Sequence, residues 1–403
     1  MKIGVLLSSL PTSIGGASIY ERSLFTQLQK YTGKHEVVYL TFSREESSSI
    51  SKDVTVIRLS SFWGRIKSLK LDYFLHKLGF NYKLNKVCRR NEIDIIWFIS
   101  SNYIKTDIPY IFTVFDLQHR MQPYFPEVSS SYRWERRENL YQQPLKKASY
   151  IIAGNAAGKE LIKEFYDIFD ERIRVIPLFV PDKYFESNER NDSLAGNSYG
   201  KYIFYPAQFW PHKNHIRLLK ALTKLDASFN LVLTGYDHGN LSYVKHKVAE
   251  MGLTDRVKIL GFVKSEELVL LYRNAYALVY PSLFGPDNIP PLEAMAVGCP
   301  VLCARMIGME AQLQENALFF DALNEDEIVQ NLIKLENREF TNGMTAKAMK
   351  FVEKLNSQNF INDFFKIINE FDLIRETWGK NNSEQSFDKT MPAIIRSFFF
   401  NNK

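Results

Sequence analysis

The sequence predicts an α/β fold of two doubly wound, Rossmann-like domains facing each other across a central cleft. Three observations carry that prediction. Short apolar runs alternate with longer amphipathic stretches along nearly the whole chain, as parallel strands covered by helices require. The runs form two series, separated by "PDKYFESNERNDSLAGNSYGK" (181–201), a polar, Asn-, Ser- and Gly-rich stretch that reads as a linker. The chain has 403 residues, more than one ordinary core fills.

The first series runs "KIGVLLSS" (2–9), "EVVYLTF" (36–42), "VTVIRL" (54–59), "IDIIWFI" (93–99), "YIFTVF" (110–115), "SYIIAG" (149–154) and "RIRVIPL" (172–178). The second runs "YIFYPA" (202–207), "NLVLTG" (230–235), "RVKILG" (256–261), "YALVYPS" (276–282), "PVLCAR" (300–305) and "ALFFD" (317–321). Runs this apolar suit strands buried on both faces. Helical patterns stand between many of them, among them "NHIRLLKALTKL" (214–225) and "SEELVLLYRNA" (265–275), where Ser265, Glu266 and Glu267 suit a helix start. The expected organisation is a first domain over 1–180, the linker 181–201, a second domain over 202–345, and a helical segment from 346 that returns to the first domain before a tail ending at 403.

Apolar residues make up 45% and charged residues 24%, as in a soluble globular protein. The net charge of +6, from 51 basic and 45 acidic residues, is too small to mark a nucleic-acid binder, and no recognised binding module accompanies it. The opening "MKIGVLLSSLP" is too short to span a bilayer and runs directly into a loop and helix, so a buried first strand is expected rather than a signal peptide. No later segment has the ~18 uncharged apolar residues of a transmembrane helix. Cys88, Cys299 and Cys303 show no C-x-x-C pair or His/Cys cluster, which supports neither a disulfide frame nor zinc and suits a reducing cytoplasm.

Ligands of doubly wound folds bind at the carboxyl ends of the strands, and three stretches there carry chemistry. In "SSLPTSIGGASIYERSL" (8–24), Gly15 and Gly16 let backbone approach an anion near a helix start, or simply form a tight turn. In "FYPAQFWPHKNHIRLLKAL" (204–222), Lys213 stands near a helix N-terminus, where the dipole disfavours its charge. Phosphate between the ammonium and the helix amides resolves that conflict; a solvated surface lysine is the alternative. In "FGPDNIPPLEAMAVGCPV" (284–301), Glu293 is expected in the first turn of a helix that Gly298 ends. It either caps that helix or grips the paired hydroxyls of a neutral polyol.

Together these stretches resemble the retaining glycosyltransferases of family 4, which have the two-domain GT-B fold. The likeness is strongest over "RVKILGFVKSEELVLLYRNAYALVYPSLFGPDNIPPLEAMAVGCPVLC" (256–303); "PHKN" (211–214) is similar to the family's phosphate-binding turn and "IGGASIYERSL" (14–24) to its glycine loop. The resemblance implies a nucleotide-sugar donor whose ribose Glu293 holds and whose diphosphate Lys213 holds. The loop 285–289, with Asp287, Asn288 and Ile289, faces the transferred sugar. Three positions depart from the family pattern. Gly285 replaces a second Glu, leaving either Asp287 to supply a carboxylate from a shifted position or the backbone to hold the sugar. Gln208 replaces a basic residue, leaving His212 or an arginine elsewhere to help neutralise phosphate. In "FTVFDLQHR" (112–120) Phe115 replaces a His, leaving Asp116 in place and His119 to contact sugar or acceptor.

No D-x-D triplet occurs, so metal-dependent sugar transfer lacks its usual ligands and no cofactor beyond the donor substrate is expected. The resemblance implies retention of anomeric configuration and a polysaccharide role such as O-antigen or capsule synthesis, with a lipid-linked oligosaccharide as acceptor. The first domain would receive that acceptor. Its stretch 61–91 is dense in Lys and Arg, with Asp72 as the only acid, and suits either an anionic membrane surface or a solvated helix pair. The expected location is the cytoplasm, peripheral on the inner face of the plasma membrane. Tyr124, Arg133 and Trp134 line an acceptor groove or an ordinary surface helix. A nucleotide-sugar epimerase and a non-catalytic binding subunit on the same fold are the competing readings.

Overall fold

The computed structural model describes residues 1–7, 16–41, 55–59, 82–100, 103–186 and 199–378. Gly15, most of the basic stretch 61–91, the middle of the linker and the tail from 379 lie outside the described residues.

Each strand expected from the sequence forms. Lys2–Leu6 (β1), Glu36–Thr41 (β2), Val56–Arg58 (β3), Ile95–Phe98 (β4), Tyr110–Val114 (β5), Tyr150–Ala153 (β6) and Ile173–Val175 (β7) make a parallel sheet in the order β3-β2-β1-β4-β5-β6-β7. Lys201–Pro206 (β8), Phe229–Thr234 (β9), Val257–Gly261 (β10), Ala277–Tyr280 (β11), Val301–Ala304 (β12) and Leu318–Phe320 (β13) make a second, in the order β10-β9-β8-β11-β12-β13. In both, the chain winds outward from the first strand and then reverses to its other side. The reversals, β1 beside β4 and β8 beside β11, open the crevices in which such folds bind ligands. Strands β4, β5, β6, β11 and β12 are buried along their whole length, as their unbroken apolar runs require. Proline sets several strand ends: β11 stops before Pro281 and β12 starts after Pro300, because proline has no N–H to give a ladder.

Two local expectations need correction. The helix of the third stretch is Ile289–Ala296, so Pro290 and Pro291 lie inside its first turn and Glu293 one turn deeper. First-turn residues need no intrahelical N–H partner, which is why two prolines begin this helix instead of preceding it. Its end is as expected: Gly298 (φ +76°) donates to Met295 O and Cys299 to Ala294 O, a Schellman closure. The helix Ser265–Asn274 starts where expected, with Glu266 and Glu267 in its first turn, and the Ser265 hydroxyl accepts from Lys183 Nζ at 2.7 Å. The segment from 346 is not one helix but the end of Arg338–Val352 followed by Ser357–Arg375.

Both sheets lie in one compact unit, Met1–Phe360. Within it the chain crosses back to the first sheet just before the last helix. Val180 N donates to Leu355 O at 2.7 Å, Ser357 Oγ to Asp182 Oδ1 at 2.9 Å, and Phe360 packs between Trp97, Phe179 and Tyr20. The second unit, Ile361–Lys403, is described as the rest of the last helix to Arg375 and a turn in which the Trp378 ring meets Phe371. No helix among the described residues is long and apolar enough to cross a membrane.

Candidate active site

A cavity of about 440 Å³ opens between the carboxyl ends of the two sheets, within the usual range of small-molecule sites. Tyr20, Phe115 and Asp116 line it from the first lobe, and Gln208, Lys213, the loop 284–290 and Glu293 from the second. Glu293 and Lys213, drawn from two different strand-to-helix corners, therefore meet one cavity.

Glu293 is buried, and its carboxylate accepts from Tyr272 Oη at 2.7 Å. Burial pushes its pKa above the usual carboxylate range, against the opposing pull of the Tyr272 and Tyr184 hydroxyls and the Lys183 charge. Lying beyond the first turn, it does not cap its helix. A buried acid with one neutral partner keeps acceptor capacity to spare, which suits hydroxyl donors from a ligand.

Lys213 ends a short 3-10 turn, Pro211–Lys213, and Asn214 after it is left-handed (φ +55°). Asn214 is pinned by its side-chain amide, which donates to Pro281 O and Ala322 O, while Tyr205 Oη holds Lys213 O at 2.8 Å. The ammonium donates to Tyr280 Oη at 3.0 Å, and Tyr280 donates on to Asn288 Oδ1 at 2.7 Å. Among the described residues no carboxylate lies within ion-pair reach of Lys213, and burial lowers its pKa to about 8 although Asp116 and Glu127 pull it up from further off. The site thus holds a lysine poised to gain from an anion.

The loop before Glu293 is shaped by Asn288. Its Nδ2 donates to Gly285 O at 2.6 Å, and its backbone exchanges hydrogen bonds with the Gln312 side chain at 3.0 and 3.1 Å. Gly285 has φ +137°, and a Cβ there would stand 2.5 Å from Asn288 Nδ2. The position of the missing family carboxylate is therefore closed to any larger side chain in this loop conformation. Ile289 also lines the cavity.

Two family models match the chain: "Glycosyltransferase Family 4" over residues 14–184 and "Glycosyl transferases group 1" over residues 187–354. The chain belongs to glycosyltransferase family 4. It is 28% identical to the O-antigen chain mannosyltransferase RfbU of Salmonella typhimurium over 186 residues, 46% of this chain and 50% of that protein. It is 28% identical to O-antigen chain mannosyltransferase B of Escherichia coli over 247 residues, 58% of this chain and 64% of that one. The matches thus span about half to under two thirds of the length of these curated relatives. The crystal structure of Anabaena HepE in complex with UDP superposes with a TM-score of 0.68 at 16% identity, over 92% of this chain and 99% of that one, and shows the GT-B fold.

In this family 4 chain the remaining expected site residues fare unequally. Asp116 lines the cavity; burial works against its charge, but the Arg137 guanidinium bonded to it and the Gln118 N–H at 2.9 Å hold its pKa below the usual range. Gln208 lines the cavity too, with Oε1 bonded to Trp210 Nε1 at 2.9 Å and Nε2 left without a protein partner. Gly16 begins the helix Gly16–Leu28, while Gly15 lies outside the described residues.

His119 does not reach the cleft. It is fully buried, bonded through Nε2 to Glu138 at 3.1 Å and to Tyr166, and stacked on Tyr141; burial lowers its pKa to about 4. The helix starting at Gln118 turns it inward, which sequence spacing does not show. His212 lines the cavity, but its backbone N–H donates to Glu127 at 3.1 Å and Nδ1 bonds the same carboxylate, in the first lobe. Burial and the Lys213 charge lower its pKa to about 4, against the pull of Glu127. Asp287 lines the cavity, yet its carboxylate bonds Asn155 Nδ2 at 2.7 Å, and burial pushes its pKa up to about 7. One of its oxygens is thus committed to the first lobe, while the residue still lines the cavity. Trp134 is bound to His119 O at 2.6 Å, and Arg133 to Glu127 O at 3.4 Å, whereas Tyr124 is 71% exposed.

Reading the sequence missed Lys183, Tyr184, Tyr236, Phe262 and Tyr272, all of which line the cavity. Tyr236 and Phe262 stack 5.1 Å apart just past β9 and β10, and Phe262 is 54% exposed, a flat apolar wall for a ring. Their places after strand ends were a legible signal. Lys183 was absorbed into the linker by its polar neighbours.

Burial that favours the neutral acid makes Glu293 a cost to the empty protein. A carboxyl whose folded pKa exceeds its unfolded one holds its proton tighter when folded, so stability falls as pH rises through the usual Glu range to that raised value. Glu293→Gln keeps an acceptor for Tyr272 and should raise the Tm of the ligand-free protein, more at about pH 8 than at about pH 5. Thermal denaturation at both pH values checks this; a Tm gain that does not grow with pH rejects the assigned burial penalty.

Proposed function

We propose that this chain is a retaining glycosyltransferase that moves a sugar from a nucleotide-sugar donor to a growing lipid-linked surface polysaccharide. The observation carrying the proposal is the joint presence of Glu293 and Lys213 in one cavity, each bonded to a tyrosine hydroxyl and neither to an opposite charge. Glu293 takes the ribose hydroxyls and Lys213 the diphosphate, while the stacked Tyr236 and Phe262 offer a face to the base. The loop 285–289 lies along the transferred sugar. The names of the two mannosyltransferase relatives support the polysaccharide role, and the UDP in HepE supports a nucleotide donor.

In the transfer, the bond from the anomeric carbon to the donor phosphate breaks and negative charge builds on the leaving diphosphate. The Lys213 ammonium meets that charge, helped by the helix start behind Asn214. The acceptor hydroxyl attacks from the face the phosphate leaves, and a phosphate oxygen takes its proton. Asp116, held ionised by Arg137 at the first-lobe wall, faces the developing positive charge on the sugar. NMR of the new glycosidic linkage tests the stereochemistry: retained configuration is expected, and an inverted product overturns this route.

Charge-assisted hydrogen bonds contribute about 1.5–3 kcal/mol each. Lys213→Ala should therefore weaken UDP or GDP roughly 10- to 100-fold while leaving the matching nucleoside nearly unaffected. Because the free lysine titrates at about 8, wild-type affinity for the diphosphate should hold below that pH and decline above it. Titration calorimetry across pH reads both effects; equal losses for nucleotide and nucleoside reject the role. A lipid-linked acceptor also places the protein at the cytoplasmic leaflet, with 61–91 as the contacting segment. Vesicles rich in anionic lipid should sediment the protein at low salt, and failure to do so removes this attachment.

A further inference from the structure

Asn155 spans the cleft. It follows β6 in the first lobe and caps the helix Ala156–Tyr166, its Oδ1 accepting from Gly158 N at 2.8 Å. Its Nδ2 reaches the second lobe, donating to Pro286 O at 2.7 Å and to Asp287 Oδ1 at 2.7 Å. The side chain is buried, and each of its three hydrogen bonds fixes which end is oxygen and which nitrogen. Asp287 also sits directly on Gly154: a Cβ there would come within 2.3 Å of Asp287 Oδ2. The 154–155 corner of one lobe and the 286–287 corner of the other therefore interlock.

The second lobe holds the same loop from the opposite side. Asn288 ties it to Gly285 and Gln312, and Tyr280 joins Asn288 to Lys213. Hydrogen bonds at either end, joined by the backbone of 285–288, thus connect the first-lobe helix cap to the lysine. Asn is the side chain this geometry demands. Serine caps as well but is too short to cross, and aspartate caps and reaches but has no N–H to give.

We propose that Asn155 is a positioning residue for sugar transfer: it clasps the loop 285–288 to the first lobe, so that the sugar end of the donor site is completed by the lobe opposite the one holding the nucleotide. The role rests on the cleft being the donor site proposed above. Asn155 touches neither nucleotide nor phosphate in this scheme. Its loss should lower turnover while sparing nucleotide binding.

The test compares the full-length wild type with Asn155→Ser and Asn155→Asp. Serine preserves the cap, so Asn155→Ser should keep a Tm close to that of the wild type. Hydrogen exchange of the amides in 283–289 should speed up roughly tenfold, and kcat should fall about tenfold or more while Kd for UDP and GDP changes less than about twofold. Asn155→Asp, which sets an acceptor against Pro286 O and a second carboxylate against Asp287, should lose at least as much. Wild-type exchange in 283–289, or wild-type kcat, in Asn155→Ser overturns the proposal. A wild type that transfers no sugar from any nucleotide sugar defeats the proposed function instead, and the exchange comparison still decides whether the clasp exists.

Discussion

Two ionisable side chains, Glu293 and Lys213, are buried in this cleft with no ion-pair partner among the described residues, opposite charges acting on them only from further off. Ionised groups taken out of water lose several kcal/mol of solvation unless partners replace it. Glu293 and Lys213 each receive only a tyrosine hydroxyl, and burial displaces both toward their neutral forms. A ligand with hydroxyls at one end and negative charge at the other matches this pair. The rest of the molecule makes that arrangement possible. Two buried sheets supply rigid strand ends, prolines stop strands at the cavity wall, and Asn214 pins the turn that presents the lysine. Tyr205, Tyr272 and Tyr280 are large enough to reach from the core to the site and polar enough to end there.

The departures from the family pattern form one consistent set. Where a basic residue commonly stands, Gln208 leaves a free amide N–H in the cavity. The absent second Glu is not merely missing, because Asn288 occupies the space a side chain at 285 would need. Asp287, the nearest acid in sequence, lines the cavity and is bonded to Asn155 of the first lobe. The polar groups at these positions are thus backbone and amide groups in place of charged side chains. Phe115 continues the trend at the first-lobe wall, where its ring meets Tyr20 edge-on at 6.0 Å. The lobes are also joined at several points near the site, since Glu127 holds His212 and Gln122 donates to Leu283 O at 2.8 Å.

Strands, their two series and the cleft were legible because parallel strands buried on both faces write themselves as unbroken apolar runs, and proline marks their ends. Glu293 and Lys213 were legible because strand-to-helix corners are where this class of fold places ligands. Assignments that depended on direction were not. His119 stands three residues from Asp116, yet a single helical turn sends it into the core against Glu138 and Tyr141. Glu293 read as a first-turn residue and proved to lie one turn deeper, since two prolines can open a helix as well as precede one.

The order of apolar runs, corner glycines and prolines by itself determined two doubly wound sheets and the corners from which a site would be built. Those features are local, arising from burial on both faces and from backbone geometry within a few residues. Only the tertiary structure decided which polar side chains face the cavity and which neutralise one another across it. Hydrogen bonds such as Asn155 to Asp287 or Glu127 to His212 join residues 132 and 85 positions apart. Their partners are chosen by how the lobes close, and no local pattern records that.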